Sequence, residues 1–193
     1  MVGVVSAGIL YLHGFCSAPA SLKACLLADA LAARGLGDRF FCPALSYVPI
    51  DAIAQAEAII QAQPGPLTLI GSSLGGFFAT SLAERHGLRA ALINPLVAPP
   101  LLSDSVIGEH LNLYTGERFN FTAEHVEQLR ALETPSVTPE NYLLLAETGD
   151  EVLDYRQAVA RYAGCRQMVF EGGDHSFTHF AELLPQLLEY CRL

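Results

Sequence analysis

"LTLIGSSLGGFFAT", residues 67–80, contains two adjacent serines that lie between glycines. Its first four residues form a run of strand length, and the residues from Leu74 onward favour a helix. Gly71 and Gly75 flank Ser73 in the pattern G-x-S-x-G, which is typical of a sharp strand-to-helix turn that presents a nucleophile. The pattern therefore predicts Ser73, and not Ser72, as the nucleophile, with both glycines as its structural support. A glycine-rich turn without a catalytic role is the alternative.

The composition excludes several classes of protein. The chain has 193 residues, 51% of them hydrophobic, and a formal net charge of −9 at pH 7. This length suits one domain, residues 1–193, and the negative charge argues against a nucleic-acid partner. The uncharged stretch 58–83 is interrupted by Pro64-Gly65-Pro66, so we expect no membrane span there. The odd number of cysteines, five, predicts a reducing, cytoplasmic location.

Strand-like and helix-like segments alternate along the chain. The predicted strands are residues 9–12, 40–42, 67–70, 90–93, 142–146 and 167–170. The predicted helices are residues 22–34, 52–63 behind Asp51 as a cap, 74–86, 155–162 behind Asp154 as a cap, and a C-terminal segment from residue 180 that Pro185 divides. This alternation indicates an α/β fold with a mostly parallel, doubly wound sheet. In such folds, ligands bind at the carboxyl ends of the strands.

One segment does not follow the alternation. Residues 95–140 separate two predicted strands by far more chain than a crossover needs, and contain one clear helix, 123–133, behind Thr122. We expect this insertion to form a short helical cap or lid over the site. Its apolar side chains suit either an acyl pocket or a core within the lid itself. They are Leu101, Leu102, Val106, Ile107, Leu111, Leu113 and Tyr114.

A nucleophilic serine also needs donors for the oxyanion that forms on its substrate. The backbone N–H of Leu74, directly after Ser73, is one predicted donor. The loop after the first strand, "LHGF", offers Phe15 N–H as the second, with Gly14 allowing the turn. We expect His13 to hold this loop by hydrogen bonds and to take no part in catalysis.

The base and the acid are predicted from chain order, which is serine, acid, histidine in this type of site. Of six histidines, His175 follows the last predicted strand and the flexible pair Gly172-Gly173. His179 fits a polar surface residue better. Asp150 follows a glycine just after the preceding strand and is the predicted acid. The other acidic residues near these two positions are less suitable, and they are Glu147, Glu151, Asp154 and Asp174.

Several segments together resemble a known family. "LYLHGF", "GSSLGG", "INP", "YTGERF", "TGDEVLDYRQAVARYAGCRQ" and "EGGDHSF" are similar, in order and spacing, to the small bacterial YqiA-like esterases of the α/β-hydrolase superfamily. The resemblance covers nearly the whole chain. It implies a three-layer α/β-hydrolase fold of reduced size that lacks the usual N-terminal hairpin.

The same resemblance has implications for chemistry. It implies Ser73, Asp150 and His175 as a catalytic triad that hydrolyses carboxylic esters without a metal or organic cofactor. A small-molecule acyl ester is the expected partner, and the sequence leaves open whether the chain forms a homo-oligomer. An acyl thioesterase or an acyltransferase with the same triad is the main alternative, because one fold supports several chemistries. A non-catalytic binding protein with this fold is the other.

Overall fold

The computed structural model describes residues 8–99 and 106–193. Its strands are β1 (Gly8–Leu12), β2 (Phe40–Phe41), β3 (Leu67–Ser72), β4 (Arg89–Ile93), β5 (Gly108–Leu111), β6 (Arg118–Phe121), β7 (Tyr142–Glu147) and β8 (Arg166–Phe170). The main sheet has the strand order β2-β1-β3-β4-β7-β8, and every neighbouring pair is parallel. All six strands predicted from apolar runs lie in this sheet, each within two residues of its expected bounds. The α/β fold class is therefore confirmed.

The helices pack on both faces of the sheet. They are α1 (Leu22–Ala33), α2 (Pro49–Ala62), α3 (Leu74–His86), α4 (Ala123–Ala131), α5 (Tyr155–Arg161) and α6 (Phe180–Tyr190). Side chains alternate along each strand, so Leu69 belongs to one core layer and Ile70 to the other. Helices α2, α3 and α5 cover the first layer, and α1 and α6 cover the second. No helix within the described residues is long and apolar enough to cross a bilayer.

Helices α2 and α6 differ from the predicted segments. Helix α2 begins at Pro49, so Asp51 lies in its first turn and does not cap it. Proline has a helical φ and no N–H to satisfy, which makes it suitable for the first position. Helix α6 continues through Pro185, where we expected a break. The buried side chains on its apolar face, including Leu183 and Leu187, hold both halves against the core.

The insertion contains a hairpin that the sequence did not indicate. Strands β5 and β6 pair antiparallel before α4, which ends at Ala131, two residues earlier than expected. Phe119 and Phe121 of β6 are buried, and each meets the Phe15 ring edge-on, with centroids 5.5 and 5.2 Å apart. The insertion thereby contacts the loop after β1. Leu101 and Leu102 lie outside the described residues, while Leu113 and Tyr114 are exposed.

Candidate active site

Ser73 occupies the turn between β3 and α3 in a conformation that few side chains adopt. Its φ is 56° and its ψ is −122°, a region that is sterically costly for any residue other than glycine. Backbone hydrogen bonds hold this geometry, because Ser73 N–H donates to the carbonyl of Ile93 at 3.0 Å. The carbonyl of Ser73 in turn accepts from the N–H groups of Gly76 and Leu96, at 2.9 and 3.1 Å. The strained turn thus presents the serine side chain at the end of the sheet.

Neighbouring glycines make this turn sterically feasible. A Cβ at Gly71 would lie 2.3 Å from the carbonyl oxygen of Gly75. A Cβ at Gly75 would lie 2.0 Å from the carbonyl oxygen of Leu12. Atoms cannot approach this closely, so both positions require glycine for packing and not for an unusual φ. The predicted role of Gly71 and Gly75 as support for the turn agrees with these distances.

The structure brings Ser73, His175 and Asp150 into one hydrogen-bonded chain. The Oγ of Ser73 lies 2.9 Å from Nε2 of His175, and Nδ1 of the same ring lies 2.9 and 2.8 Å from the two carboxylate oxygens of Asp150. The serine is on the turn after β3, the aspartate follows β7, and the histidine follows β8. A serine, a histidine and a carboxylate linked in this way can act as a nucleophile, a base and an orienting acid.

Asp150 is suited to remain ionised in this chain. Its side chain is only 1% exposed, and this burial alone would raise its pKa. Hydrogen bonds from the His175 ring and from the backbone N–H groups of Leu153 and Val152 outweigh burial, so the pKa of Asp150 lies below its usual value. A carboxylate at this position favours the tautomer of His175 that carries its proton on Nδ1.

The competing acids have other contacts. Asp154 caps α5 by accepting a hydrogen bond from Arg156 N–H at 3.0 Å, as we expected. Glu151 accepts from the backbone N–H of His175 at 3.0 Å, and Asp174 accepts from the N–H of Ser176 at 2.8 Å. Both therefore contact the loop that carries the histidine, and the ring itself is bonded to Asp150.

Glu147 is the residue at this site whose importance the sequence analysis missed. Its carboxylate is fully buried at the end of β7 and accepts hydrogen bonds from four donors. The backbone N–H of Asp174 donates at 2.7 Å, and Thr178 Oγ1 and the N–H of His179 each donate at 3.0 Å. The fourth partner is Nδ1 of His179, at 2.6 Å. Glu147 therefore holds both ends of the loop that carries His175.

Asn94 completes this support. Its Oδ1 accepts from the backbone N–H of Glu147 at 2.9 Å, and its Nδ2 donates to the carbonyls of Asp174 and His175 at 3.0 and 3.4 Å. The His179 side chain is 31% exposed, as a surface residue's can be, but its ring also pairs with Glu147, which the sequence did not indicate. The sequence did contain a signal for Glu147, namely a carboxylate at the end of an otherwise apolar strand, "YLLLAE". Buried charges are rarely found without partners.

The electrostatics of Glu147 follow from these contacts. Burial raises the pKa of Glu147, but hydrogen bonds from the His179 ring and from the backbone N–H groups of His179 and Asp174 lower it by more, so the pKa lies below its usual value. The carboxylate is therefore ionised near neutral pH. An ionised acceptor makes shorter and stronger hydrogen bonds than a neutral one, which strengthens the bonds from Glu147 to the loop.

The predicted oxyanion loop lies directly beside the serine. A Cβ at Gly14 would lie 3.2 Å from Cβ of Ser73 and 3.7 Å from its Oγ. Leu74 is the first residue of α3, where N–H groups have no acceptor within the helix. The N–H of Phe15 has no hydrogen-bond partner among the described residues. Neither N–H is thus used by an acceptor among the described residues.

His13 contacts the loop and not the serine. Leu45 N–H donates to its Nε2 at 3.1 Å, so Nδ1 carries the ring proton and donates to the carbonyl of Gly14 at 3.0 Å. Burial lowers the pKa of His13, which favours this neutral form. The ring therefore has the structural position that we expected for it.

A cavity of about 490 Å³ opens at Ser73 and His175. Its walls combine apolar and hydroxyl-bearing side chains, and they include Tyr11, Phe15, Ser21, Lys23, Phe177 and Phe180.

Burial raises the pKa of the nearby Cys16 thiol, so this cysteine is not an activated thiolate. In residues 8–99 and 106–193, no group of three or more His, Cys, Asp or Glu side chains could hold a metal ion.

The chain matches one protein family in sequence and several solved structures in fold. The family described as Uncharacterised protein family (UPF0227) matches residues 8–192. A protein from Agrobacterium vitis S4 has a TM-score of 0.77 and 19% identity, with 96% of this chain and 87% of that chain covered. Mouse alpha/beta hydrolase domain-containing protein 10 has a TM-score of 0.71 and 18% identity, with 94% and 88% covered.

A third similar structure is the esterase domain of a Rhodothermus marinus protein. Its TM-score is 0.68 and its identity 20%, and the alignment covers 99% of this chain and 89% of that one. At identities this low, the structural likeness establishes a shared fold and no shared substrate. The predicted α/β-hydrolase fold is confirmed.

Proposed function

The chain belongs to the protein family UPF0227, and from that premise we propose that it is a serine esterase that hydrolyses carboxylic esters through an acyl-enzyme intermediate. The observation that carries the proposal is the hydrogen-bonded chain from Ser73 through His175 to Asp150, at the edge of an open cavity. Serine hydroxyls are weak nucleophiles unless a neighbouring base removes their proton. His175 is within hydrogen-bond reach of that proton and has no other partner at Nε2 among the described residues.

In the first half of the proposed reaction, Ser73 Oγ attacks the ester carbonyl carbon and its proton moves to Nε2 of His175. The carbonyl π electrons move to oxygen, and the resulting oxyanion accepts hydrogen bonds from the N–H groups of Phe15 and Leu74. When the oxyanion collapses, the bond to the alcohol oxygen breaks. His175 returns its proton to that oxygen, the alcohol leaves, and the acyl group stays on Ser73.

In the second half, a water molecule takes the place of the alcohol. His175 accepts a proton from the water, and the hydroxide equivalent attacks the acyl carbon to form a second oxyanion. Its collapse breaks the bond to Ser73 Oγ, which recovers the proton from His175, and a carboxylic acid is released. Throughout, Asp150 stabilises the imidazolium that forms twice per cycle.

We propose residues 95–140 as the cap over this site, since their hairpin contacts Phe15.

A labelling experiment tests the proposal. Ser73→Ala is expected to abolish turnover of a short p-nitrophenyl ester, whereas Ser72→Ala, the matched control, keeps most of it. A serine-directed phosphonate should leave one adduct, found on Ser73 by mass spectrometry. An adduct on Ser72 or Cys16, or full activity of Ser73→Ala, would refute the assignment. A matched thioester substrate in the same assay distinguishes an esterase from a thioesterase.

A further inference from the structure

One wall of the cavity at Ser73 and His175 is formed by the start of α1. Ser21, Leu22 and Lys23 line it, and Lys23 is the only lysine of the chain. The side chain of Lys23 reaches across to the loop that carries the histidine, where Nζ donates to the carbonyl of Ser176 at 2.7 Å. The ammonium group is therefore part of the same cavity as the proposed nucleophile and base.

This ammonium is incompletely paired. No carboxylate of the described residues lies within 4.0 Å of Lys23 Nζ. Burial lowers the pKa of Lys23, and the charges of Asp174 and Glu147 oppose that effect from further away. Those two carboxylates already accept from Ser176 and from the His179 ring. A lysine ammonium has three donors, and the carbonyl of Ser176 uses one of them.

The residue before α1 provides a second, independent observation. Ser21 is 7% exposed, yet its Oγ has no hydrogen-bond partner among the described residues. It is the N-cap residue of α1, and its side chain makes no capping hydrogen bond. The hydroxyl of Tyr11 lies nearby without reaching normal hydrogen-bond geometry. A buried hydroxyl left without a partner is costly, so the start of α1 retains an unused donor beside the cavity.

Helix geometry adds to the positive character of this wall. The first N–H groups of a helix have no acceptor within it, and the helix dipole makes this end favourable for negative charge. At this end of α1 the N–H groups therefore combine with the Lys23 ammonium and the free hydroxyl of Ser21. These are the donors by which proteins bind small anions. The whole chain has a net charge of −9, and Lys23 is its single lysine.

We propose that this wall binds a carboxylate of the substrate, so that the preferred substrates are esters carrying a carboxylate in their acyl or alcohol part. The inference rests on the proposed esterase function. One lysine lines the wall and balances one negative charge, which suits a carboxylate better than a phosphomonoester with nearly two charges. The carboxylate would anchor the substrate while the ester carbonyl lies at Ser73.

Two matched substrate pairs test this. Methyl hemiglutarate against methyl valerate places the carboxylate on the acyl side, and 4-acetoxybutanoate against butyl acetate places it on the alcohol side. We expect kcat/KM of the wild-type protein to be about 10-fold higher for the charged member of one pair. Lys23→Met, which keeps the aliphatic stem, should lower that ratio by about 10-fold. A kcat/KM for the charged ester at or below that for the neutral ester in both pairs would overturn the inference. So would a Lys23→Met variant whose kcat/KM falls by the same factor for both members of a pair.

Arg192→Met provides the control for net charge. It removes one positive charge at an exposed position beyond the end of α6, about 15 Å along the helix from Phe180, which lines the cavity. The ratio between charged and neutral esters should not change in this variant. A similar decrease in both variants would show a long-range effect of charge and would count against a specific contact at Lys23.

A binding measurement separates this inference from the esterase proposal. In a Ser73→Ala background, the charged ester of the preferred pair, methyl hemiglutarate or 4-acetoxybutanoate, should bind in isothermal titration calorimetry, and adding Lys23→Met should weaken its binding by about 10-fold. Binding without turnover of any ester by the wild-type protein would refute the esterase proposal and keep the carboxylate site. Turnover of neutral esters without measurable binding of either charged ester would refute the carboxylate site alone.

Discussion

Glu147 and His179 form a pair, with Oε1 and Nδ1 2.6 Å apart, behind the loop that carries His175. The glutamate is fully buried, and the space beside it is so small that a Cβ at Gly173 would overlap its carboxylate. The histidine of the proposed triad is thus held through the backbone of residues 173–179, and not only by its own bond to Asp150. Mispositioning of a catalytic group by about 1 Å costs about 10²-fold in rate, so this support has a direct kinetic consequence.

Glu147→Gln should lower kcat for a p-nitrophenyl ester by about 10²-fold with little change in KM, because the loop loses its ionised acceptor. Activity is measured at a temperature where the melting curve of the same sample shows it to be folded. Glu133→Gln, an exposed glutamate after α4, is the control and should keep full activity. Wild-type kcat in Glu147→Gln would contradict a positioning role for this carboxylate.

The same residue makes stability dependent on pH. The pKa of Glu147 is lower in the folded protein than its unperturbed value of 4.5, so its stabilisation is complete above pH 4.5 and decreases as the pH falls towards the folded-state value. Near pH 7, Glu147→Gln should reduce the free energy of unfolding by about 3 kcal/mol. Urea denaturation at a series of pH values should show this difference shrinking below pH 4.5. A difference that grows on acidification would reverse the sign and refute the assignment.

Asp150→Asn should lower kcat by about 10⁴-fold, as in serine proteases that lose the equivalent acid. An asparagine can still accept from Val152 and Leu153 through its oxygen, so we expect the fold to persist, while its amide nitrogen favours the wrong tautomer of His175. Asp154→Asn is the matched control, because asparagine caps a helix about as well as aspartate. Ester turnover and thermal melting are compared on the same preparations. If Asp154→Asn were inactive and Asp150→Asn active, the triad would have to be reassigned.

Gly75→Ala should destabilise the protein by about 3 kcal/mol or more, because the added methyl group would meet the carbonyl of Leu12 at 2.0 Å. At Gly37, an added Cβ would have its nearest neighbour at 3.8 Å, which is ordinary contact, so Gly37→Ala is the control and should change stability little. Chemical denaturation of both variants measures the difference. Equal stability of the two would mean that the approach of α3 to β1 is looser than the structure has it.

Local sequence determined the main elements and the serine turn. Strands buried on both faces produce unbroken apolar runs, and a chain that passes within contact distance of another backbone requires glycine, as at Gly71 and Gly75. Both signals are contained in a few consecutive residues. Chain order then identified Asp150 and His175, since each follows a strand whose carboxyl end reaches the same edge of the sheet. The hairpin of β5 and β6 was missed because its short strands have no continuous apolar run.

The tertiary structure alone decided which polar side chains support the site and line its cavity. Asn94 and Glu147 are 53 residues apart in the chain, and Lys23 and Ser176 are 153 residues apart, yet each pair is joined by a hydrogen bond. Their partners are mostly backbone N–H and carbonyl groups, which every residue possesses and which therefore leave no mark on composition or periodicity. Only the folded backbone brings these groups within bonding distance, and so only the structure distinguishes a buried, paired carboxylate from a solvated one.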